Sequence, residues 1–313
     1  MIKQLAHICI FSKDLVATEE FYCQALKLKK VFNFVRDNEI IGFYLQISDK
    51  SYIEVFKNDA VDSNSVSPLQ HIIEELLTLI FYQEINNYLR NLADAEIASH
   101  SQRFFKTARG EYGFGDKFLG IRVPVLRKAV KKFKTIPLNT ATKLLKSEFH
   151  EIRLFALLLL VSRFAKADTN EQEKIYQIYL RNTKYVNNWD LVDSSAHYII
   201  GAYLADKDKS VLYDLLKSNS LWERRIAIMS TFYFIKNNQF DDALHISEKL
   251  LYDKEDLIHK AVGWMLREIG NRDLNVETAF LNKHYKTMPR VMLRYAIEKF
   301  SKEERQKYLK GKV

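Results

Sequence analysis

Three short stretches of this 313-residue chain hold the side chains best suited to chemistry: Trp189-Asp190-Leu191-Val192-Asp193, Trp222-Glu223-Arg224-Arg225, and Gly263-Trp264-Met265-Leu266-Arg267-Glu268. A carboxylate such as Asp193 suits a centre on which positive charge develops. At about 4 Å and an effective dielectric near 20 the attraction is roughly 4 kcal/mol, about a thousandfold in rate if felt only in the transition state. The same group can orient an attacking water. Trp189 and Asp193 are four residues apart, so on a helix they share a face. Indole faces beside a developing cation, at Trp189 and Trp264, add about 0.5–2 kcal/mol each. Gly263 leaves room beside Trp264 for a ligand to approach closely. The same residues also have a plain structural reading, in which the tryptophans pack as core, Asp193 pairs with Arg225 or Lys260, and Arg224 and Arg225 are solvated.

The elements that must carry these residues are mostly helices. From Pro68 onward the apolar residues keep helical spacing, as at Ile72, Ile73, Leu76, Leu77, Ile80 and Phe81. An alanine recurs in the apolar stripe at Ala156, Ala196, Ala227, Ala261 and Ala296, at separations of 40, 31, 34 and 35 residues. Small residues recurring with a period in the thirties or forties, two helices per unit, predict a HEAT-like helical-repeat solenoid, an α-α superhelix with a long concave face. The first 57 residues differ. Leu5–Phe11, Ile40–Ile47 and Tyr52–Phe56 alternate apolar and polar, while Leu15–Leu28 has helical spacing, which predicts a small α+β module of order βαβββ. Asn58–Pro68 is polar and small and reads as a linker, giving expected domains of 1–57 and 69–313 joined by 58–68.

Composition narrows the class. With 47% hydrophobic residues, 9 Gly and 4 Pro the chain is globular and rich in regular structure. The longest apolar run, Leu154–Val161, falls far short of the roughly 20 residues a membrane span needs, and Met1-Ile2-Lys3 opens no signal-peptide core, so a cytoplasmic location is expected. Cys9 and Cys23 form no disulfide framework and match no metal spacing. Charge is uneven. Residues 1–66 hold 8 Lys/Arg against 9 Asp/Glu, and the remainder 40 against 30. Residues 100–134 carry ten basic side chains against Glu111 and Asp116, and residues 281–313 carry ten against three. Two basic clusters suit a polyanion, though solubilised helix faces would read the same way. Gly110-x-x-Gly113-x-Gly115 lacks the preceding strand of a dinucleotide loop and reads as a turn that Arg109 and Lys117 could bring near a phosphate, so no nucleotide cofactor follows. No HxxxH or HExxH spacing occurs among the histidines, and His197 reads as a helix-face residue.

Two resemblances add to this. "HICIFSKDLVATEEFYCQALKLKKVF" with "GFYLQI…SYIEVF" resembles one module of the glyoxalase and bleomycin-resistance (vicinal oxygen chelate) superfamily. That likeness would match His7 and Glu54 to metal ligands, but one imidazole and one carboxylate are half a coordination shell, and the family builds its cavity from two modules. From about Leu79 to Leu309, "EYGFGDKFLGIRVPVLRKAVKKF", "NNWDLVDSSAHYIIGAYL", "LWERRIAIMSTF", "DLIHKAVGWMLREIGNRD" and "MPRVMLRYAIEKFSKEERQKYL" resemble the AlkD-like DNA alkylation repair family of HEAT-repeat glycosylases. The likeness implies hydrolysis of the N-glycosidic bond of cationic N3- and N7-alkylated purines without a tight base pocket. It matches the catalytic carboxylate to Asp193, the tryptophans flanking the lesion to Trp189 and Trp264, and the supporting arginine to Arg225, with Arg224 as the competing position. Tyr112 would be an aromatic contact. In that reading Asp193 stands unneutralised against the sugar. The expected partner is double-stranded alkylated DNA, contacted by Arg103, Lys106, Arg109, Lys117, Arg122, Arg127, Lys128, Lys131, Arg224, Lys260 and Arg294. No cofactor, metal or membrane is implied, and a monomer is expected, the N-terminal module being the place for any dimer contact. The alternatives are a non-catalytic HEAT-repeat module that binds nucleic acid or protein, and a metalloenzyme run by the N-terminal module.

Overall fold

The computed structural model describes residues 7–25, 27–48, 51–58 and 66–313. The chain divides into two compact units, one of residues 1–91 with 133–143, the other of 92–132 with 144–313.

The first unit is a four-stranded sheet with helices. β1 (His7–Ser12) leads into α1 (Leu15–Glu20), which continues as a widened turn over Phe21–Ala25; β2 (Lys29–Arg36), β3 (Glu39–Ser48) and β4 (Ser51–Lys57) follow, then α2 (Val66–Arg90). The βαβββ order is the one the alternation predicts. Spatial order is β1-β4-β3-β2, with β1 parallel to β4 and the other pairs antiparallel. Asp37 and Asn38, at φ 51° and 65°, make the two-residue turn that a tight hairpin between β2 and β3 requires. Asp14 caps α1 by accepting from the amides of Val16 and Ala17. One sheet face, with Phe43, Leu45, Ile53 and Val55, is buried together with Tyr22, Leu28 and Leu77 of α2. The other carries stacked rings, Phe32 on Tyr44 at 4.7 Å and Phe34 on Phe56 at 4.8 Å. Most of the expected linker, residues 59–65, lies outside the described residues. The register sets Glu54 beside Cys9, whereas His7 pairs with Tyr52. Glu54 accepts a hydrogen bond from the Tyr44 hydroxyl. The side chain of His7 lies outside the described residues.

The second unit is helical throughout its described elements. α3 (Ala95–Phe104) and α4 (Val123–Lys132) precede α5 (Leu138–Leu145), which begins in the first unit and ends in the second. Helix pairs follow: α6 (His150–Phe164) with α7 (Thr169–Arg181), α8 (Trp189–Asp193) with α9 (Ser210–Leu216), α10 (Leu221–Lys236) with α11 (Asp241–Lys249), α12 (Asp256–Gly270) with α13 (Leu274–His284), and α14 (Arg290–Ala296) with α15 (Lys302–Lys310). The first helix of each pair packs on the first helix of the next, which makes a HEAT-like repeat array. The five recurring alanines are buried within this array, each at most 1% exposed. Helix α6 is buried nearly all round, from His150 to Leu160 and at Phe164, as the run Leu154–Val161 demands.

Two glycines set how closely the array packs. A Cβ on Gly201 would lie 2.3 Å from the Ser230 carbonyl oxygen, and one on Gly263 would lie 2.5 Å from that of Met292. Gly263 is therefore a helix-packing residue, turned toward α14. The expectation that it opens space for a ligand beside Trp264 does not hold, because the freed space is filled by protein backbone.

Candidate active site

The side chains picked out by spacing come from the first helices of successive pairs, α8, α10 and α12. Asn188 caps α8 by accepting from the Trp189 amide at 2.8 Å, which fixes where the first turn begins. Trp189 is half-buried. Its ring stacks on Phe105 at 5.3 Å and meets Phe104 edge-on at 6.0 Å. Tyr112, from the loop between α3 and α4, lies near Trp189 and meets Trp222 of α10 at 6.0 Å. Burial raises the Tyr112 phenol above its ordinary value.

Asp193 closes α8 one turn on. Its carboxylate is gripped by Arg225 of α10, Nε to Oδ1 at 2.9 Å and an Nη to Oδ2 at 2.7 Å. Arg225 also donates to the Leu257 carbonyl, at the start of α12, so three repeats meet on one guanidinium. The carboxylate is 16% exposed and the guanidinium 6%. Burial pushes the Asp193 carboxyl above the usual range; Arg225 opposes that and the nearby Asp190 adds to it. Asp193 is thus neutralised by its neighbour. The expectation of a bare carboxylate is corrected by the bidentate fork, whose planar geometry matches two carboxylate oxygens. After Asp193 the chain runs through Ser194–Ala196 into a widened helical turn, His197–Gly201. His197 is buried, and its imidazole is pushed down to about 4, first by burial and then by Lys236.

Arg224 and Arg225 part company. Arg224 binds Asp253 at 2.6 Å and donates to the carbonyls of Ser218 and Asn219, so it secures the loop before its own helix. Trp264 lies along α12, one turn past Lys260; it packs on Phe232 at 5.9 Å and donates to Glu268 at 3.1 Å. Lys260 pairs with Asp256 at 2.7 Å, near Tyr112.

Behind Trp189 lies a buried polar cluster. His150, the first residue of α6, faces Asp116 with Nδ1 at 2.9 Å and Asp190 with Nε2 at 2.8 Å, and Arg153 holds Asp116 at 2.7 Å. Phe118 stacks on the imidazole at 4.6 Å. Glu151 accepts from the amides of Leu119, Gly120 and Ile121, pinning to α6 the loop that delivers Asp116 and Phe118. Gly120, at φ 81°, permits that path. Sequence reasoning missed this cluster, along with Phe105; the only signal was that Asp190 shares the Trp189–Asp193 stretch.

The basic candidates Arg103, Lys106, Arg109, Arg122, Arg127, Lys128, Lys131 and Arg294 are exposed. Lys117 is exposed and pairs with Glu148 at 2.6 Å. Gly110 and Gly115 take φ of 85° and 84° in a turn, in line with the reading of that glycine cluster.

A sequence profile described as "DNA alkylation repair enzyme" matches residues 85–300. No curated protein gives a significant match. Among solved structures, a predicted DNA alkylation repair enzyme from Enterococcus faecalis superposes with a TM-score of 0.52 at 16% identity, covering 67% of this chain and 97% of its own. AlkD2 from Streptococcus mutans gives a TM-score of 0.44 at 16% identity, covering 70% of this chain and 99% of its own.

Proposed function

This chain belongs to the DNA alkylation repair enzyme family, and from that membership we propose that it is a DNA glycosylase hydrolysing the N-glycosidic bond of cationic N3- and N7-alkylated purines in duplex DNA. The observation that carries this reading is the oriented Asp193–Arg225 pair, partly exposed and one turn from Trp189. A cationic alkylpurine is already a good leaving group, so no general acid is required. Water oxygen bonds to C1′ as the C1′–N bond breaks, the bonding electrons neutralise the departing purine, and the proton of the water leaves through Asp193 to solvent. The carboxylate opposes the positive charge on the sugar as the bond lengthens.

Arg225 changes the size of that effect. An attraction of roughly 4 kcal/mol at about 4 Å is opposed by a guanidinium roughly twice as far away, leaving about 2 kcal/mol, on the order of thirtyfold in rate. In return the fork opposes the effect of burial on the carboxyl and fixes the direction of its oxygens. Trp189, Tyr112 and Trp222 offer aromatic faces on one side, and Trp264 is assigned to the other, further along α12. Arg103, Lys106, Arg109, Arg122, Arg127, Lys128, Lys131 and Arg294 are assigned to phosphates, with Lys117 and Lys260 joining once their carboxylate partners yield. Arg224, bound to Asp253, supports the protein more than the DNA. The activity is assigned to residues 69–313 of a cytoplasmic monomer, with no role for His7 and Glu54.

A second reading is a DNA- or protein-binding module without catalysis. It is favoured by one observation, that Asp193 spends both oxygens on Arg225. Release of 7-methylguanine or 3-methyladenine from methylated duplex separates the two. Release by the wild type that Asp193→Asn greatly slows supports the glycosylase; no release, with DNA still bound, supports the module.

A further inference from the structure

His150 bridges two carboxylates brought from far along the chain, and the bridge has a definite proton count. An ionised carboxylate only accepts hydrogen bonds, so a ring with Nδ1 on Asp116 and Nε2 on Asp190 must carry a proton on both nitrogens. The ring is cationic. It is also almost wholly buried, its side chain 2% exposed, against the rings of Phe105 and Phe118. The charged groups facing it are Asp116 from the loop before α4, with Arg153 of α6 behind it, and Asp190 from α8. Charges therefore alternate from Arg153 through Asp116, His150 and Asp190. The order then breaks, because Asp193, the next acid, stands three residues beyond Asp190 on the same short helix. The other polar groups facing Asp193 are Arg225 from α10, Tyr179 from α7, and His197 on its own helical segment.

We propose that His150 is a positioning residue for Asp193: it ties the first turn of α8 to α6 and offsets the charge that Asp190 sets beside the reacting carboxylate. This rests on the glycosylase reading for its consequence in catalysis, but not for its electrostatics. Without the cation, Asp190 would press harder on Asp193 and hold the carboxyl protonated to higher pH. The first turn of α8, which begins with Trp189, would lose the tie to α6 that runs through Asp190. His150 touches neither the proposed sugar nor the proposed water; it acts through Asp190.

The test is to follow the titration of the Asp193 carboxyl by NMR in the full-length wild type and in His150→Gln. The proposal expects the midpoint to rise by about one unit in His150→Gln, because an opposing charge has been removed from a buried pair of acids. A role limited to packing predicts the opposite sign, since loosening α8 would solvate Asp193 and lower its midpoint. A fall or no change overturns the proposal. Asp190→Asn should lower the midpoint, and an unchanged midpoint there also overturns it. Should His150→Gln fail to fold, 15N spectra of histidine-labelled wild type decide: both ring nitrogens of His150 protonated at neutral pH supports the bridge, and a neutral ring overturns it. Base release read on the same samples keeps the two ideas apart. The expected shifts without release by the wild type remove the glycosylase and leave the placement of His150 standing; release with no shift does the reverse.

Discussion

Arg225 meets Asp193 through two parallel hydrogen bonds of 2.9 and 2.7 Å that cross from α10 to α8, and the same guanidinium reaches the Leu257 carbonyl at the start of α12. One side chain thereby sets the spacing of three repeats and the direction of the carboxylate. Removing it strands a mostly buried charge.

Arg225→Ala should therefore cost about 3–5 kcal/mol of stability, the range seen when one partner of a buried ion pair is deleted. Arg225→Lys should lose less, since it keeps the charge but not the fork. Urea unfolding monitored by circular dichroism reads both; an alanine variant within about 1 kcal/mol of wild type would show that the pair contributes little.

Asp193→Asn is close to isosteric and keeps an oxygen for Arg225. Base release should fall by about thirtyfold or more, in proportion to the charge withdrawn from the sugar, while binding of undamaged duplex stays within a few fold. Equal release by both proteins would remove Asp193 from the mechanism.

Duplex binding should depend steeply on salt. Six or more phosphate contacts predict a loss of roughly a thousandfold in affinity between about 50 and 200 mM salt. Reversing Arg103, Lys106 and Arg109 together should flatten the slope by about three contacts' worth. Fluorescence anisotropy with unmodified duplex measures this, and a flat salt profile would contradict a phosphate-tracking surface.

Stability should fall on the alkaline side through His150. Its two carboxylates outweigh burial and raise the imidazole to about 9, above its ordinary value of 6.5. A group whose folded value is raised contributes its full stabilisation below the unfolded value and loses it as pH climbs through the folded one. The melting temperature should thus drop between pH 7 and 10 more steeply in wild type than in His150→Gln. Parallel profiles would show that the imidazole carries no such linkage.

Glu277 of α13 shows the same direction of dependence in a carboxyl. It is 2% exposed, Oε1 has no hydrogen-bond partner, and burial raises the group to about 8. The folded chain prefers it protonated, so stability is full below its ordinary value of 4.5 and declines as pH rises toward 8. Glu277→Gln should melt higher than wild type at pH 8 and above; a lower melting temperature there would mean that the ionised form is bound by something in the fold.

The repeat array could be read from the sequence because its cause is local: small residues recurring every thirty to forty positions in an apolar stripe belong in a packed interior, and Ala156, Ala196, Ala227, Ala261 and Ala296 are buried. The Asp193–Arg225 contact could be read only as one of several pairings, since spacing alone does not choose between Arg225 and Lys260. His150 was not legible at all. Its partners stand 34 and 40 residues away, and nothing in their neighbourhood marks them as acids that share one ring. Gly263 was misread for a related reason: a missing side chain beside a tryptophan looks the same in sequence whether a ligand or a neighbouring helix fills the gap.

The widened turn at His197–Gly201 has a consequence for counting along this helix. It loops out one residue more than a regular helix uses, so everything after it is rotated by about 100° relative to Asp193. That rotation brings Gly201, the one residue there without a side chain, round to meet the Ser230 carbonyl. Gly201→Ala would set a methyl group 2.3 Å from that carbonyl, so the turn and α10 must move apart, which loosens the grip that α10 keeps on the carboxylate.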